Sequence, residues 1–170
     1  MALIKNSAFL ALALIGGAAA IGPARADDGI LRDDPAFLEL GAGGYDIFHN
    51  YTAGVFRGEY RFGQKLLWLT PLLGGEVTTD GGLYGYFGLA LDLHLGDHFV
   101  LAPNEAVGAW TRGDGKNLGA TIEFRSGAEF DYAFDDQTRL GLSFHHISNA
   151  GIGKHNPGEE EALVVYALPL

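Results

Sequence analysis

The feature that most restricts this chain is a strict alternation of apolar and polar side chains, position by position, over long stretches. In residues 83–95 the odd positions carry Leu83, Phe87, Leu89, Leu91, Leu93 and Leu95, and the even ones Tyr84, Tyr86, Gly88, Ala90, Asp92 and His94. Further on, Ile122, Phe124, Phe130 and Tyr132 fall in one phase, with Thr121, Glu123, Arg125, Glu129 and Asp131 in the other. Phe56, Tyr60 and Phe62 alternate in the same way with Arg57, Glu59 and Arg61. Side chains two apart share a face only on an extended strand, so each stretch is a strand with one apolar and one charged side. No segment carries a sustained helical stripe.

Turn signals divide the chain at Gly63-Gln64, Asp80-Gly81-Gly82, Gly96-Asp97, Gly113-Asp114-Gly115 and Asp135-Asp136. The intervals run to roughly ten residues, the length a tilted strand needs to cross a bilayer. Eight segments result, at about 35–45, 51–62, 65–79, 83–95, 98–111, 118–133, 138–149 and 159–170. The expected fold class is all-β: an eight-stranded antiparallel transmembrane β-barrel, one domain over residues 27–170. Alternation is equally compatible with a soluble barrel, whose apolar faces would point inward. Pro71, Pro103 and the unalternating run Leu66-Leu67-Trp68-Leu69 make the third and fifth segments the least regular.

Ahead of this region, Lys5, an apolar stretch from Ala8 to Ile21 and the small-residue site Ala24-Arg25-Ala26 read as a signal peptide over residues 1–26. Its removal takes Lys5 and Arg25 from 11 basic residues and none of the 21 acidic ones, leaving 9 against 21 and a net charge of −12. That balance argues against a nucleic-acid partner, which requires a cationic face. With no cysteine in the sequence, disulfides and thiolate zinc sites are excluded. The histidines His49, His94, His98 and His155 have no metal-ligand spacing, so no metal and no cofactor are expected, and these four read as structural or loop residues. Trp68 and Trp110, with the tyrosines, are candidates for interfacial aromatic girdles.

The last two segments depart from the pattern in a specific way. Leu140, Leu142 and Phe144 form an apolar face that His146 and Ser148 continue. Counting back from Leu170, the face of Leu168, Tyr166, Val164 and Ala162 ends in Glu160. A hairpin with its tip near Lys154 would set Ser148 opposite Glu160 and bring all three polar groups together at one end. An imidazole beside a hydroxyl is the pairing that turns serine into a nucleophile, and a carboxylate can fix the imidazole tautomer. With both termini on the periplasmic side, that end faces the cell exterior and the lipid of the outer leaflet. His145, Glu159 and Glu161 point to the opposite, lumenal face, and Lys154 lies in the exterior loop, where it reads as solvated.

The run His146-Ile147-Ser148-Asn149-Ala150-Gly151, followed twelve residues after the serine by Glu160, resembles the lipid A 3-O-deacylase (PagL-type) family. The resemblance is specific over residues 140–162 and architectural elsewhere. It implies an eight-stranded outer-membrane barrel of the bacterial cell that hydrolyses the ester-linked 3-hydroxyacyl chain at position 3 of lipid A without a metal. His146 would be the base, Ser148 the nucleophile and Glu160 the orienting acid. Asn149 and Asn156 stand where the family carries asparagines and would bind the oxyanion with N–H groups around Ala150 and Gly151. Lipopolysaccharide and the outer membrane are then the expected partners, and a homodimer is left open. The rival readings are a non-enzymatic barrel serving as anchor or adhesion module, an outer-membrane phospholipase, and a soluble periplasmic binding barrel.

Overall fold

The computed structural model describes residues 29–50 and 52–170; the signal peptide expected over residues 1–26 lies outside them. Strands β1 (Phe37–Tyr45), β2 (Ala53–Arg61), β3 (Thr70–Thr78), β4 (Leu83–Ala90), β5 (Leu93–Leu95), β6 (Phe99–Thr111), β7 (Ile122–Ala133), β8 (Arg139–Ser148) and β9 (Glu159–Pro169) pair antiparallel with their neighbours. β1 pairs with β9, and β4 with β6, so the sheet closes on itself. The result is an eight-stranded antiparallel barrel, β4 and β5 being two parts of one strand.

The interruption between β4 and β5 has a local cause. The pairs Ala90↔Asn104 and Leu93↔Leu101 keep one register, which sets Leu91 opposite Pro103. The Leu91 N–H still donates to the Pro103 carbonyl at 3.0 Å, but proline has no N–H to return, so the ladder lapses for one step. Two expected boundaries shift. Residues 65–69 form a tight turn, closed by Leu66 and Leu69, before β3 begins at Thr70. Residues 118–121 belong to the loop before β7, and Leu118 folds into the barrel mouth, fully buried.

The distribution of side chains decides between the two barrel readings. Leu142 is 66 % exposed and Phe87 64 %, whereas Glu39, Arg125 and Glu161 are wholly buried. Apolar residues cover the outside and charges fill the inside, the inverse of a soluble barrel and the arrangement a bilayer demands. Inside, Arg61 pairs with Glu39, Glu59 and Glu129 at 2.9–3.0 Å, and Arg125 with Glu59 and Glu76 at 2.8 and 3.1 Å. Arg57 donates to Glu39 at 3.0 Å and Ser143 at 3.1 Å, and its Nη1 donates to Nδ1 of His145 at 3.2 Å. A buried charge is costly unless paired, and these arginines and carboxylates neutralise one another.

Toward the end of the barrel away from both termini, the lumen turns aromatic. Tyr45 stacks on Trp110 with centroids 5.4 Å apart, beside Tyr84, Ile147 and Leu118. Trp110 is therefore a core residue and not part of an interfacial girdle; it sits at an inward position of β6 with the odd-numbered neighbours facing out. The lumen is a packed core, which makes the barrel a rigid wall for whatever its outer surface carries.

Candidate active site

His146 and Ser148 lie at outward positions of β8, where the backbone leaves the apolar band, and Glu160 at an outward position of β9. The β8–β9 register pairs His146 directly with Glu160. This corrects the hairpin expected from the sequence, which set Ser148 opposite Glu160: the tip lies one residue earlier, and each pairing moves by two. A two-residue slip preserves the face of every side chain, whereas a slip of one would have turned the glutamate into the lumen. The actual register brings the carboxyl closer to the imidazole. Nδ1 of His146 lies 3.1 Å from Oε1 of Glu160, and the side chains are 45 % and 22 % exposed.

Ser148 is 8 % exposed, and its partner across β7 is Phe124. Among the described residues, no hydrogen bond joins its hydroxyl to the imidazole. The structure thus brings the histidine and glutamate into contact and leaves the serine beside them, two residues along the same face. Hydrogen bonds of such groups are commonly loose before substrate binds. Gly158 covers the imidazole from the loop. Its φ is +61°, and a Cβ there would stand 2.6 Å from Cε1 of His146, so both the backbone and the close approach require glycine.

The turn after Ser148 is held by one side chain. Asn149 is fully buried; its Nδ2 donates to the carbonyls of Leu118 at 2.7 Å and His155 at 2.8 Å, and its Oδ1 accepts the Gly151 N–H at 2.9 Å. Its own N–H donates to Oδ1 of Asn156 at 3.0 Å. The Asn149 amide and the Gly151 N–H, both expected as oxyanion donors, are therefore engaged in building the loop. Among the described residues, the Ala150 N–H and Nδ2 of Asn156 are the donors of this group that no partner takes up. Ala150 itself has φ +51°, an uncommon conformation for a residue with a side chain, of the kind that collects at functional sites.

The loop between β1 and β2, whose His49 was expected to be only a structural or loop residue, lies against the site. The Ile47 N–H continues the ladder to the Glu160 carbonyl at 3.1 Å, and the Phe48 ring meets that of Phe144 at 6.2 Å. His49 then turns back: Nδ1 is 3.1 Å from Oδ1 of Asp46 and 3.5 Å from Oε2 of Glu160. Asp46 is in turn bound by Nζ of Lys116 at 2.6 Å. Glu160 is thus flanked by two imidazoles, one on each oxygen. No spacing in the sequence signals His49, because it comes from a loop a hundred residues away. His145, in contrast, is buried in the lumen, as its phase indicates, and His94 pairs with Asp34 at the opposite end.

Just below the site, on the outer wall, a depression of about 480 Å³ is lined by the outward residues Ala42, Ala128, Phe130, Leu142, Ala162 and Val164. It opens where small side chains on β1, β7 and β9 leave room between larger ones, directly under the Phe144–Ala162 pair. Among the described residues there is no cluster of His, Asp and Glu that would hold a metal ion.

The sequence profile of the family described as lipid A 3-O-deacylase (PagL) matches residues 58–169, well over half of the chain. The chain belongs to the PagL family. The fold agrees: the barrel superimposes on the crystal structure of the outer membrane enzyme PagL with a TM-score of 0.64 at 19 % identity, covering 79 % of this chain and 99 % of that one. The outer membrane protein Ail of Yersinia pestis, determined in a phospholipid bilayer nanodisc, shows a TM-score of 0.46 at 10 % identity over 79 % of this chain and 100 % of Ail. No curated protein matches the chain. As a PagL-family barrel with an apolar exterior, the chain is an outer-membrane barrel protein. The family match begins within β2, so the β1–β2 loop and His49 lie outside it.

Proposed function

We propose that this PagL-family barrel is a serine esterase that hydrolyses the ester-linked 3-hydroxyacyl chain at position 3 of lipid A. The observation that carries this reading is the His146–Glu160 pair on the outer wall, with Ser148 next on the same face. Polar side chains on a lipid-facing wall oppose membrane stability, and a hydrogen-bonded histidine–glutamate pair with a serine next on the same face gives them a reason to be there.

In this mechanism Glu160 accepts the Nδ1 proton of His146 and holds the ring so that Nε2 is the basic nitrogen. Ser148 Oγ attacks the ester carbonyl carbon while Nε2 takes its proton. The tetrahedral oxygen is met by the Ala150 N–H and Nδ2 of Asn156, the two donors that the loop leaves over, while Asn149 fixes the turn that aims them. Collapse breaks the bond to the sugar oxygen, which leaves as a hydroxyl after receiving the proton from His146. Water, activated by the same imidazole, then releases the fatty acid and restores Ser148. With both termini in the periplasm the site opens to the outer leaflet, and the apolar depression below it receives the chain being removed.

The test is lipid A from cells expressing the intact protein compared, by mass spectrometry, with lipid A from cells expressing Ser148→Ala. Loss of one 3-hydroxyacyl group only with the intact serine supports the reading. Unchanged lipid A from properly inserted intact protein refutes it, and altered phospholipids in its place would reassign the esterase to glycerophospholipid.

A further inference from the structure

Short of Thr111 at the end of β6 and Tyr132 near the end of β7, the outward face of these two strands is apolar except at one step. Glu105 faces out among Leu101, Pro103, Val107 and Ala109, and Ser126 faces out among Phe124, Ala128 and Phe130. The register pairs Glu105 with Ser126, Ser126 with His146, and His146 with Glu160. Four adjacent strands therefore carry a polar side chain at the same step, on the same side of the wall. Ser126 Oγ donates to Oε2 of Glu105 at 2.6 Å, and among the described residues no partner takes Oε1.

This row is not level. His146 lies two residues inside the far end of β8, whereas Glu105 lies six residues inside that end of β6. The row thus descends from the rim into the apolar band. An ionisable side chain facing hydrocarbon is costly and persists where it serves function. Glu105 stands on the opposite side of the wall from the lumenal ion pairs and contributes nothing to them. Strands are about 4.8 Å apart, which places Glu105 about 10 Å from His146 and somewhat farther from Ser148. That is too far for a group on the scissile chain close to its carbonyl. It suits the root of a neighbouring chain on the same molecule.

We propose that Glu105 and Ser126 form a polar subsite for a hydroxyl or amide N–H at the root of a retained acyl chain, so that the enzyme selects hydroxylated, multiply acylated glycolipid. This rests on the deacylase reading above. Ser126 holds the carboxyl in place, and Oε1 accepts the hydrogen bond. A lipid with only methylenes at that depth leaves the acceptor unmatched, the situation in which hydrogen-bonding sites discriminate most strongly. Glycerophospholipid and single-chain esters offer no such donor.

The experiment compares kcat/KM of purified, refolded barrel on lipid A and on p-nitrophenyl decanoate, a single-chain ester. Glu105→Ala is expected to lower the ratio of the two by about tenfold or more, the usual worth of one well-placed hydrogen bond to an ionisable acceptor. Glu105→Gln, which keeps an acceptor, retains most of the ratio, and Ser126→Ala lowers it less than Glu105→Ala. Should Glu105→Ala fail to fold, seen as loss of the faster-migrating unheated band on a gel, Glu105→Gln and Ser126→Ala carry the comparison. A ratio unchanged in folded Glu105→Ala, or in Ser126→Ala where Glu105→Ala does not fold, overturns this proposal alone. Wild-type protein that cleaves the single-chain ester but leaves lipid A intact overturns the deacylase reading and this one with it.

Discussion

Gly158→Ala is a one-carbon change that addresses the geometry of the site directly. Gly158 has φ +61°, and an added Cβ would stand 2.6 Å from Cε1 and 3.1 Å from Nε2 of His146. An ordinary carbon contact is about 3.5 Å, so the ring must withdraw by roughly 0.9 Å. The ring is tied to Glu160 by a single 3.1 Å hydrogen bond, which such a shift breaks. Misplacing a reacting group by about 1 Å costs on the order of 100-fold in rate. The left-handed backbone adds a separate stability cost of about 1–2 kcal/mol for a residue with a side chain.

The two effects can be separated with Gly96→Ala. Gly96 has φ +74° in the turn between β5 and β6, at the other end of the barrel, with nothing within 4 Å of its would-be Cβ. Both variants should lose similar stability, read as the temperature at which the faster-migrating folded band disappears. Only Gly158→Ala should lose kcat on lipid A, by about 100-fold, with KM much less affected. If Gly158→Ala keeps its kcat while matching Gly96→Ala in stability, the imidazole does not depend on the position seen here and the reasoning fails.

Other substitutions probe the surroundings. His49→Ala removes the second imidazole from Glu160, and a partly exposed contact of this kind is worth up to about 1 kcal/mol, so kcat should fall by about two- to fivefold with KM little changed; an unchanged kcat would make His49 a bystander. Asp34, ahead of β1, is partly buried, which opposes its charged form. The hydrogen bond from His94 and the charges of Arg139, His94 and Lys65 more than offset burial and hold its carboxyl below the ordinary range. A depressed folded value stabilises the protein above the unfolded carboxyl's value of about 3.9, and the benefit is lost as pH falls through the folded value. Asp34→Asn should therefore lower thermal stability at neutral pH and flatten its decline on the acid side. An acid-side profile identical to wild type would show that the cluster at Asp34 contributes none of it.

The fold was legible because a barrel writes period two into every strand, and its inverted polarity became visible once burial was known. What sequence alone misjudged has local physical causes. Leu66–Leu69 looks like strand by hydrophobicity, yet Leu67 adopts a φ of +62° to close a turn. Residues 118–121 continue the alternation of β7, but Asn149 captures the Leu118 carbonyl and pulls the segment into the mouth. At the site, phase alone placed His146, Ser148 and Glu160 on one wall, because phase survives a two-residue register error. The contacts that depend on loop paths were not readable. These are the return of His49 to Glu160, the packing of Gly158 on the imidazole, and the use of Asn149 as a brace. Glu105 was legible in principle, since it is the one carboxyl in the outward phase of its strand.

Most carboxyls in the lumen have a guanidinium, ammonium, imidazole or neighbouring carboxyl to answer for them, so a lumenal charge says little about function. On the outer wall the default occupant is apolar, and each exception has to be sustained against the membrane. Apart from Thr111 at the rim and the outward tyrosines Tyr132 and Tyr166, the exceptions on β6 to β9 are not scattered: Glu105, Ser126, His146 and Glu160 occupy one register step across four strands, with Ser148 two residues along. A structural explanation would have to account for each separately, since none of them contributes to the lumenal network. A single substrate lying across the wall, its ester at Ser148 and its other polar groups along the row, accounts for all of them at once.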